Sequence, residues 1–115
     1  QELDRGKGPS RSDRLIAGDI VLDYTARQVW RNGQPVELTQ REFDLLWVLM
    51  KHAGQALRRD ELLGLVWGEG WIGNPRTLDV HVRWLREKLE DDPSQPQCIQ
   101  TVRGYGYRFG NPDGA

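Results

Sequence analysis

The stretch RTLDVHVRWLREKL, residues 76–89, gives the clearest indication of the fold of this chain. Leu78, Val82, Leu85 and Leu89 recur at helical spacing, and at about 100° per residue they fall within an arc of roughly 60°. The sequence therefore predicts an amphipathic helix that packs its leucine side against a core. The opposite side holds Arg76, Thr77, Val80, Arg83, Trp84 and Glu87, with His81 and Lys88 on one flank and Asp79 and Arg86 on the other.

Two interpretations fit an outward face that combines arginines with a tryptophan and a valine. The first is a solvated face on which Trp84 covers a neighbour or a subunit contact, because exposed apolar groups often mark partner surfaces. The second is a surface that enters a DNA groove, where Val80 and Trp84 pack on thymine methyls or deoxyribose, or stack on a base edge. In that case the phosphate contacts come from basic side chains, namely Arg76, His81, Arg83 and Arg86.

Towards the N-terminus, residues 15–38 alternate short strand-like runs with turns. The runs LIA, IVLD and RQVWR are rich in β-branched and aromatic residues. Gly18-Asp19 marks one turn and Asn32-Gly33 is a strong hairpin signal, while Pro35 restricts the next strand to an edge or a strand start. We expect an antiparallel sheet of three or four strands. Residues 1–14 are too polar to repay the entropy of ordering, so we interpret them as an interdomain linker or a disordered segment and residues 111–115 as a tail.

Between the sheet and residue 76 the pattern becomes helical. TQRE, residues 39–42, is a capping box that opens a helix, whose apolar positions include Phe43 and Trp47, and Gly54 is the expected stop. We interpret Trp47 as a core residue. A shorter helix spans residues 59–67. The glycine-rich loop GEGWIGNP, residues 68–75, then leads into the amphipathic helix, which should start near Pro75 and end near Glu90.

The last folded segment is a predicted hairpin. CIQTV and YGYRFG flank Arg103-Gly104. Three helices followed by a hairpin form an α+β winged helix-turn-helix, in which the third helix recognises DNA and the hairpin is the wing. Arg103 at the hairpin tip suits a minor groove, whose negative potential attracts arginine.

Composition limits the other function classes. The chain has 115 residues, enough for one domain, and a net charge of −1, so DNA binding requires a local basic face. No apolar run is long enough for a membrane span, no secretory signal opens the chain, and the single Cys98, expected as a half-buried strand residue, suits the cytoplasm.

The sequence predicts neither an enzyme nor a metal or cofactor site. His52 and His81 lie on different helices, without the ligand spacing of a metal centre. No nucleophile elbow or phosphate-binding loop is present. The glycines of GYGYRFG have the wrong spacing for a nucleotide loop, and no helix follows them.

Four motifs carry a family resemblance. LTQREFDLLWVLMKHAGQAL, DELLGLVWG, RTLDVHVRWLREKLEDDP and IQTVRGYGYRFG together resemble the OmpR/PhoB-type C-terminal effector domain of two-component response regulators, over residues 15–110. The resemblance implies an N-terminal four-stranded antiparallel sheet, three helices and a C-terminal hairpin. It also implies sequence-specific binding to promoter DNA, often as tandem dimers on direct repeats, to control transcription.

The resemblance also implies roles for particular residues. Trp67 corresponds to a tryptophan whose indole N–H reaches a phosphate, although a core position at the end of a helix is an equal alternative. Gly104 and Tyr107 would touch the DNA backbone, with packing of the wing on the core as the alternative for Tyr107. Thr101 and Arg103 approach the minor groove, and the recognition-helix phosphate contacts are Arg76, Thr77, His81, Arg83 and Arg86.

Residues 68–74 resemble the segment with which family members contact RNA polymerase. Its expected contacts are Glu69, Trp71, Ile72 and Asn74, and the alternative is that Trp71 and Ile72 fold back on the domain. Full-length members carry an N-terminal receiver domain that a sensor kinase phosphorylates, so we interpret the chain as an effector domain without its receiver.

At one position the chain departs from the family pattern. Trp84 stands where some members have an arginine, and tryptophan has one donor and makes no bidentate contact with guanine. This departure puts in doubt any transfer of a guanine preference. The alternative function, since a fold does not determine its use, is a winged-helix module that binds protein.

Overall fold

The computed structural model describes residues 14–68, 70–71 and 73–110. Most of the expected linker, the tail, Glu69 and Ile72 therefore lie outside the described residues. Arg14, which we placed in the linker, is the first residue of a strand and pairs with Asp23. Among the described residues, no helix has the length and apolar character needed to cross a membrane.

The N-terminal sheet has four antiparallel strands: β1 (Arg14–Ala17), β2 (Ile20–Asp23), β3 (Gln28–Arg31) and β4 (Gln34–Val36), paired in chain order. Asn32 and Gly33 both adopt positive φ, 54° and 79°, as a tight hairpin turn requires. The register aligns one apolar row across the strands, which packs against the core and consists of Leu15, Leu22, Val29 and Val36.

Helix α1 (Gln40–Lys51) begins at the predicted capping box. The Glu42 N–H donates to Thr39 Oγ1 at 3.2 Å, and the Thr39 N–H donates to Glu42 Oε1 at 2.9 Å. Lys88 Nζ also donates to Glu42 Oε1, at 2.6 Å. Burial alone would raise the pKa of Glu42, but the hydrogen bonds from Lys88 and Thr39 outweigh it, and the pKa is lowered. One carboxylate thus caps α1 and links it to the third helix.

The end of α1 differs from the prediction. The helix ends at Lys51 with His52 as its C-cap, before Gly54. Gly54, at φ 87°, instead turns the chain, and its N–H donates to Phe109 O at 2.8 Å. Trp47 is half-buried and packs against the core, as expected, with Tyr24 at a ring-centroid distance of 4.5 Å.

The sequence did not reveal the short strand β5 (Ala56–Arg58), which pairs with the C-terminal hairpin. Helices α2 (Arg59–Trp67) and α3 (Arg76–Leu89) follow, close to their predicted bounds. Strands β6 (Ile99–Val102) and β7 (Gly106–Phe109) form the hairpin, so the second sheet has the order β5-β7-β6. Cys98 is half-buried but immediately precedes β6. Burial and the Glu90 carboxylate raise the pKa of its thiol to about 11.

Helix α3 is packed as its periodicity predicts. Leu78, Val82, Leu85 and Leu89 are at most 1 % exposed and form one core with side chains of α1, α2 and the hairpin. Burying four such side chains contributes about 1.5–3 kcal/mol each. The opposite face of α3 is therefore fixed towards solvent.

Candidate nucleic-acid interface

The outward face of α3 is exposed, and its centre is apolar. Val80 is 40 % and Trp84 42 % exposed. The Arg83 side chain is 80 % exposed, and its Nε lies 3.6 Å from Glu87 Oε2. A surface pair of this kind is weak, so a phosphate group can replace Glu87 as the partner of Arg83.

Asn74, which we predicted as an RNA polymerase contact, stabilises the start of α3. Asn74 Oδ1 accepts a hydrogen bond from the Arg76 N–H at 2.9 Å, which satisfies one of the free amides at a helix N-terminus. Arg76 itself is exposed and Thr77 is half-buried. Asn74 thus has a capping role that the sequence pattern did not predict.

His81 is held in one orientation between two tryptophans. Its Nδ1 lies 2.8 Å from Thr77 O, and because a carbonyl only accepts, Nδ1 carries a proton. The neutral ring then offers Nε2 as an acceptor, so His81 donates to a phosphate only as the imidazolium. The ring stands edge-on to Trp67 at 5.1 Å and lies 5.0 Å from the Trp84 ring.

Trp67 and Trp71 pack together beside α3. Trp67 is half-buried, its ring centroid lies 6.1 Å from that of Trp71, and the Arg41 guanidinium lies 5.4 Å from its ring. The Trp71 ring packs against the core and over Gly73, where an added Cβ would meet it at 2.4 Å. Trp71 thus takes the folded-back position that we kept open as the alternative.

The hairpin tip presents an arginine. Arg103 and Gly104 form the turn between β6 and β7, and Gly104 has a φ of 72° that glycine adopts readily. Both residues are exposed. Within the described residues, the Arg103 side chain has no hydrogen bond or ion pair, so its guanidinium is available to a ligand.

Arg86 links α3 to the first strand of the hairpin. Its Nε donates to Ile99 O at 3.0 Å, and its NH2 group donates to Thr101 Oγ1 at 2.7 Å. Its guanidinium also lies 5.6 Å from the centre of the Tyr107 ring. Arg86 and Thr101, both predicted to contact DNA, therefore contact each other in the free domain.

Tyr107 links the second strand to α3. It is 8 % exposed, and its hydroxyl donates to Asp79 Oδ1 at 2.7 Å. Burial and the hydrogen bond to Asp79 raise the pKa of Tyr107 to about 12. The structure places Tyr107 in the packing arrangement that we considered as the alternative to a backbone contact.

Comparison with known proteins agrees with this geometry. A family model described as "Transcriptional regulatory protein, C terminal" matches residues 33–109. The response regulator DrrB of Thermotoga maritima, an OmpR/PhoB homolog, is 33 % identical with a TM-score of 0.79. The chain belongs to the OmpR/PhoB-type family of response-regulator DNA-binding domains. The match covers 85 % of this chain and 44 % of DrrB, so this chain spans less than half the length of that relative.

Two further solved structures are DNA-binding domains of the same family. The DNA-binding domain of Klebsiella pneumoniae RstA, solved in complex with the RstA box, is 40 % identical with a TM-score of 0.78. That match covers 85 % of this chain and 97 % of the RstA domain. The DNA-binding domain of CpxR from E. coli is 33 % identical with a TM-score of 0.74, over 85 % of this chain and 96 % of that one. The four-stranded sheet, three helices and hairpin predicted for this OmpR/PhoB-type domain are confirmed.

The structure also identifies side chains near the interface that sequence reasoning missed. Arg59, the first residue of α2, pairs with Asp79, and Arg41 donates to Val66 O at 2.8 Å while lying over Trp67. Both arginines belong to elements other than α3, Arg41 to α1 and Arg59 to α2. Only their positions in the folded structure bring them near the candidate interface. The residue spacing within α3 could not have indicated them.

Proposed function

We propose that this domain binds double-stranded promoter DNA, with α3 in the major groove and the β6–β7 hairpin at the minor groove. The observation that carries the proposal is the exposed face of α3, where Arg83 adjoins Trp84 and Val80, on a helix linked to an arginine-tipped hairpin. Phosphate contacts from such arginines supply affinity and register. From the family, we propose that the domain is the output domain through which a cytoplasmic two-component response regulator controls transcription.

We propose the wider assembly on the ground of the same family membership. A receiver domain, phosphorylated by a sensor kinase, would control this domain, and tandem dimers on direct repeats would place two copies on DNA. We propose that residues 68–74 contact RNA polymerase. Because Trp71 packs against Trp67, exposed positions such as Gly70 and Gly73 are the available surface among the described residues of this loop.

The proposed DNA contacts divide into three groups by their present partners. Arg76 and Arg103 are exposed, without side-chain partners among residues 14–68, 70–71 and 73–110, and Arg83 has only its surface pair with Glu87. His81 needs a second proton to donate. Arg86 already holds Ile99 and Thr101, so we propose that it acts on DNA with the guanidinium edge that these two bonds leave free.

Trp84 is proposed as the residue that sets base preference at its position. It is 42 % exposed at the centre of the face, beside His81, and it offers one N–H donor and a large apolar ring. Such a side chain favours contact with thymine methyls or sugars over hydrogen bonding to guanine. A duplex with thymine at the matching position is the expected ligand.

Trp84→Arg should keep DNA binding and shift base preference towards guanine, because arginine makes a bidentate contact with guanine worth about 1–3 kcal/mol of discrimination. The measurement is selection of bound sequences from a random duplex library by the wild type and the variant. Leu65→Arg is the matched control, since it adds the same charge at an apolar position of α2 that is 58 % exposed. Its selected sequences should equal those of the wild type.

Two outcomes of the selection would count against the proposal. If Trp84→Arg and the wild type select the same sequences, Trp84 is a packing or partner residue. If the wild type selects no sequence and binds no duplex, the alternative of a protein-binding winged-helix module is favoured, which the net charge of −1 supports.

A further inference from the structure

The hairpin is joined to the recognition helix at both ends of that helix. Near its C-terminus, Arg86 donates to Ile99 O and Thr101 Oγ1. Near its N-terminus, Asp79 accepts the Tyr107 hydroxyl. These bonds connect α3 to both strands of the wing.

Asp79 has a second partner, which brings α2 into the same network. The Arg59 guanidinium forms an ion pair with Asp79, and the Arg59 N–H donates to Tyr105 O, in the hairpin turn, at 3.4 Å. The Asp79 side chain is 35 % exposed and that of Arg59 44 %. The network of Arg59, Asp79 and Tyr107 thus joins the start of α2, the first turns of α3 and the wing.

This network is additional to the apolar packing that holds α3 in the core. The core holds α3 through its leucine side, and the Tyr107 ring packs in the same core. The Tyr107 hydroxyl adds a hydrogen bond of 2.7 Å from β7 to Asp79 of α3. We propose that Tyr107, through Asp79, is a positioning residue that sets the distance between the recognition helix and the wing, so that Arg83 meets its phosphate while Arg103 meets the minor groove.

This proposal rests on the proposed function, but one arm of its test needs no DNA. Tyr107→Phe removes the hydroxyl alone. In the free domain it should speed amide hydrogen exchange of Tyr105, whose N–H donates to Val102 O in the hairpin turn, by about 5- to 10-fold. Amides of α3 such as that of Leu85 should be unchanged. Tyr24→Phe, in the distant turn between β2 and β3, is the matched control and should alter neither group.

The second arm measures the coupling of side chains in DNA binding. Arg103→Ala should weaken binding to a selected duplex by roughly 5- to 150-fold, but by under about 3-fold in the Tyr107→Phe background, because a displaced wing no longer presents Arg103. Arg83→Ala should cause the same loss in both backgrounds. A general loss of structure in Tyr107→Phe would reduce the effects of Arg103→Ala and Arg83→Ala alike. A reduced effect of Arg103→Ala alone therefore shows that Tyr107 positions the wing.

Each arm can overturn the proposal. Unchanged exchange in the hairpin of Tyr107→Phe contradicts it, whether or not the domain binds DNA. Independent effects of Tyr107→Phe and Arg103→Ala contradict it while leaving the proposed function intact. Absence of duplex binding by the wild type contradicts the proposed function, and the exchange arm then still decides whether Tyr107 positions the wing.

Discussion

Gly106→Ala is expected to destabilise the domain by at least about 3 kcal/mol, because it forces a methyl group into backbone. A Cβ at this position would lie 1.9 Å from Leu57 O and 3.0 Å from both Arg58 Cα and Arg59 N. All three atoms belong to backbone at the junction of β5 and α2, so no side-chain rotation relieves the contact. β5 must separate from β7, and the wing loses the strand that supports it.

Urea unfolding followed by circular dichroism gives the change in the free energy of unfolding. Gly64→Ala is the matched control: Gly64 lies within α2, and an added Cβ there would meet nothing within 4 Å. This control should be more stable than the wild type by about 0.5–1 kcal/mol, the usual gain of alanine over glycine in a helix. A Gly106→Ala variant within about 1 kcal/mol of the wild type would show that β5 does not approach β7 as described.

Glu90→Gln is expected to cost about 2–4 kcal/mol, because the buried carboxylate accepts several backbone hydrogen bonds. Glu90 is 5 % exposed. Its oxygens accept the N–H groups of Gln97 at 2.8 Å, Cys98 at 2.9 Å and Ile99 at 2.8 Å. Glutamine has nearly the same shape, but its NH2 group would face at least one of these donors.

The neighbouring carboxylate provides the control for this prediction. The Asp91 side chain is 96 % exposed and pairs only with Arg31 among the described residues, so Asp91→Asn removes the same charge and should leave the unfolding midpoint close to that of the wild type. Equal unfolding midpoints in urea for Glu90→Gln and Asp91→Asn would contradict the structural role of Glu90. Because Glu90 joins the end of α3 to the start of β6, its loss should also loosen the wing.

The features predictable from sequence are those encoded by neighbouring residues. The Asn32-Gly33 turn, the Thr39–Glu42 capping box and the leucine side of α3 each depend on spacing within a few residues, and each is present in the structure. The exposure of Val80 and Trp84 follows from the same periodicity. Local chemistry therefore sufficed to predict the N-terminal sheet, the three helices and the outward face of α3.

The features missed depend on residues far apart in the chain. β5 has three residues, one of them buried, and is a strand because β7 pairs with it. Asp79 meets Tyr107 across 28 positions, and Arg86 meets Ile99 across 13. The sequence therefore predicted Arg86 and Tyr107 as DNA contacts but not as the side chains that join the wing to the helix.

The salt dependence of duplex binding by the wild-type domain is the most direct test of DNA binding by α3 and the wing. With the roughly five or six phosphate contacts that we propose for the domain, the logarithm of the association constant should fall against the logarithm of salt concentration with a slope on the order of −4 to −6. Arg83→Ala should make the slope less negative by about 1. A slope near zero, or no binding to any duplex, would contradict the claim that this face of the domain binds DNA.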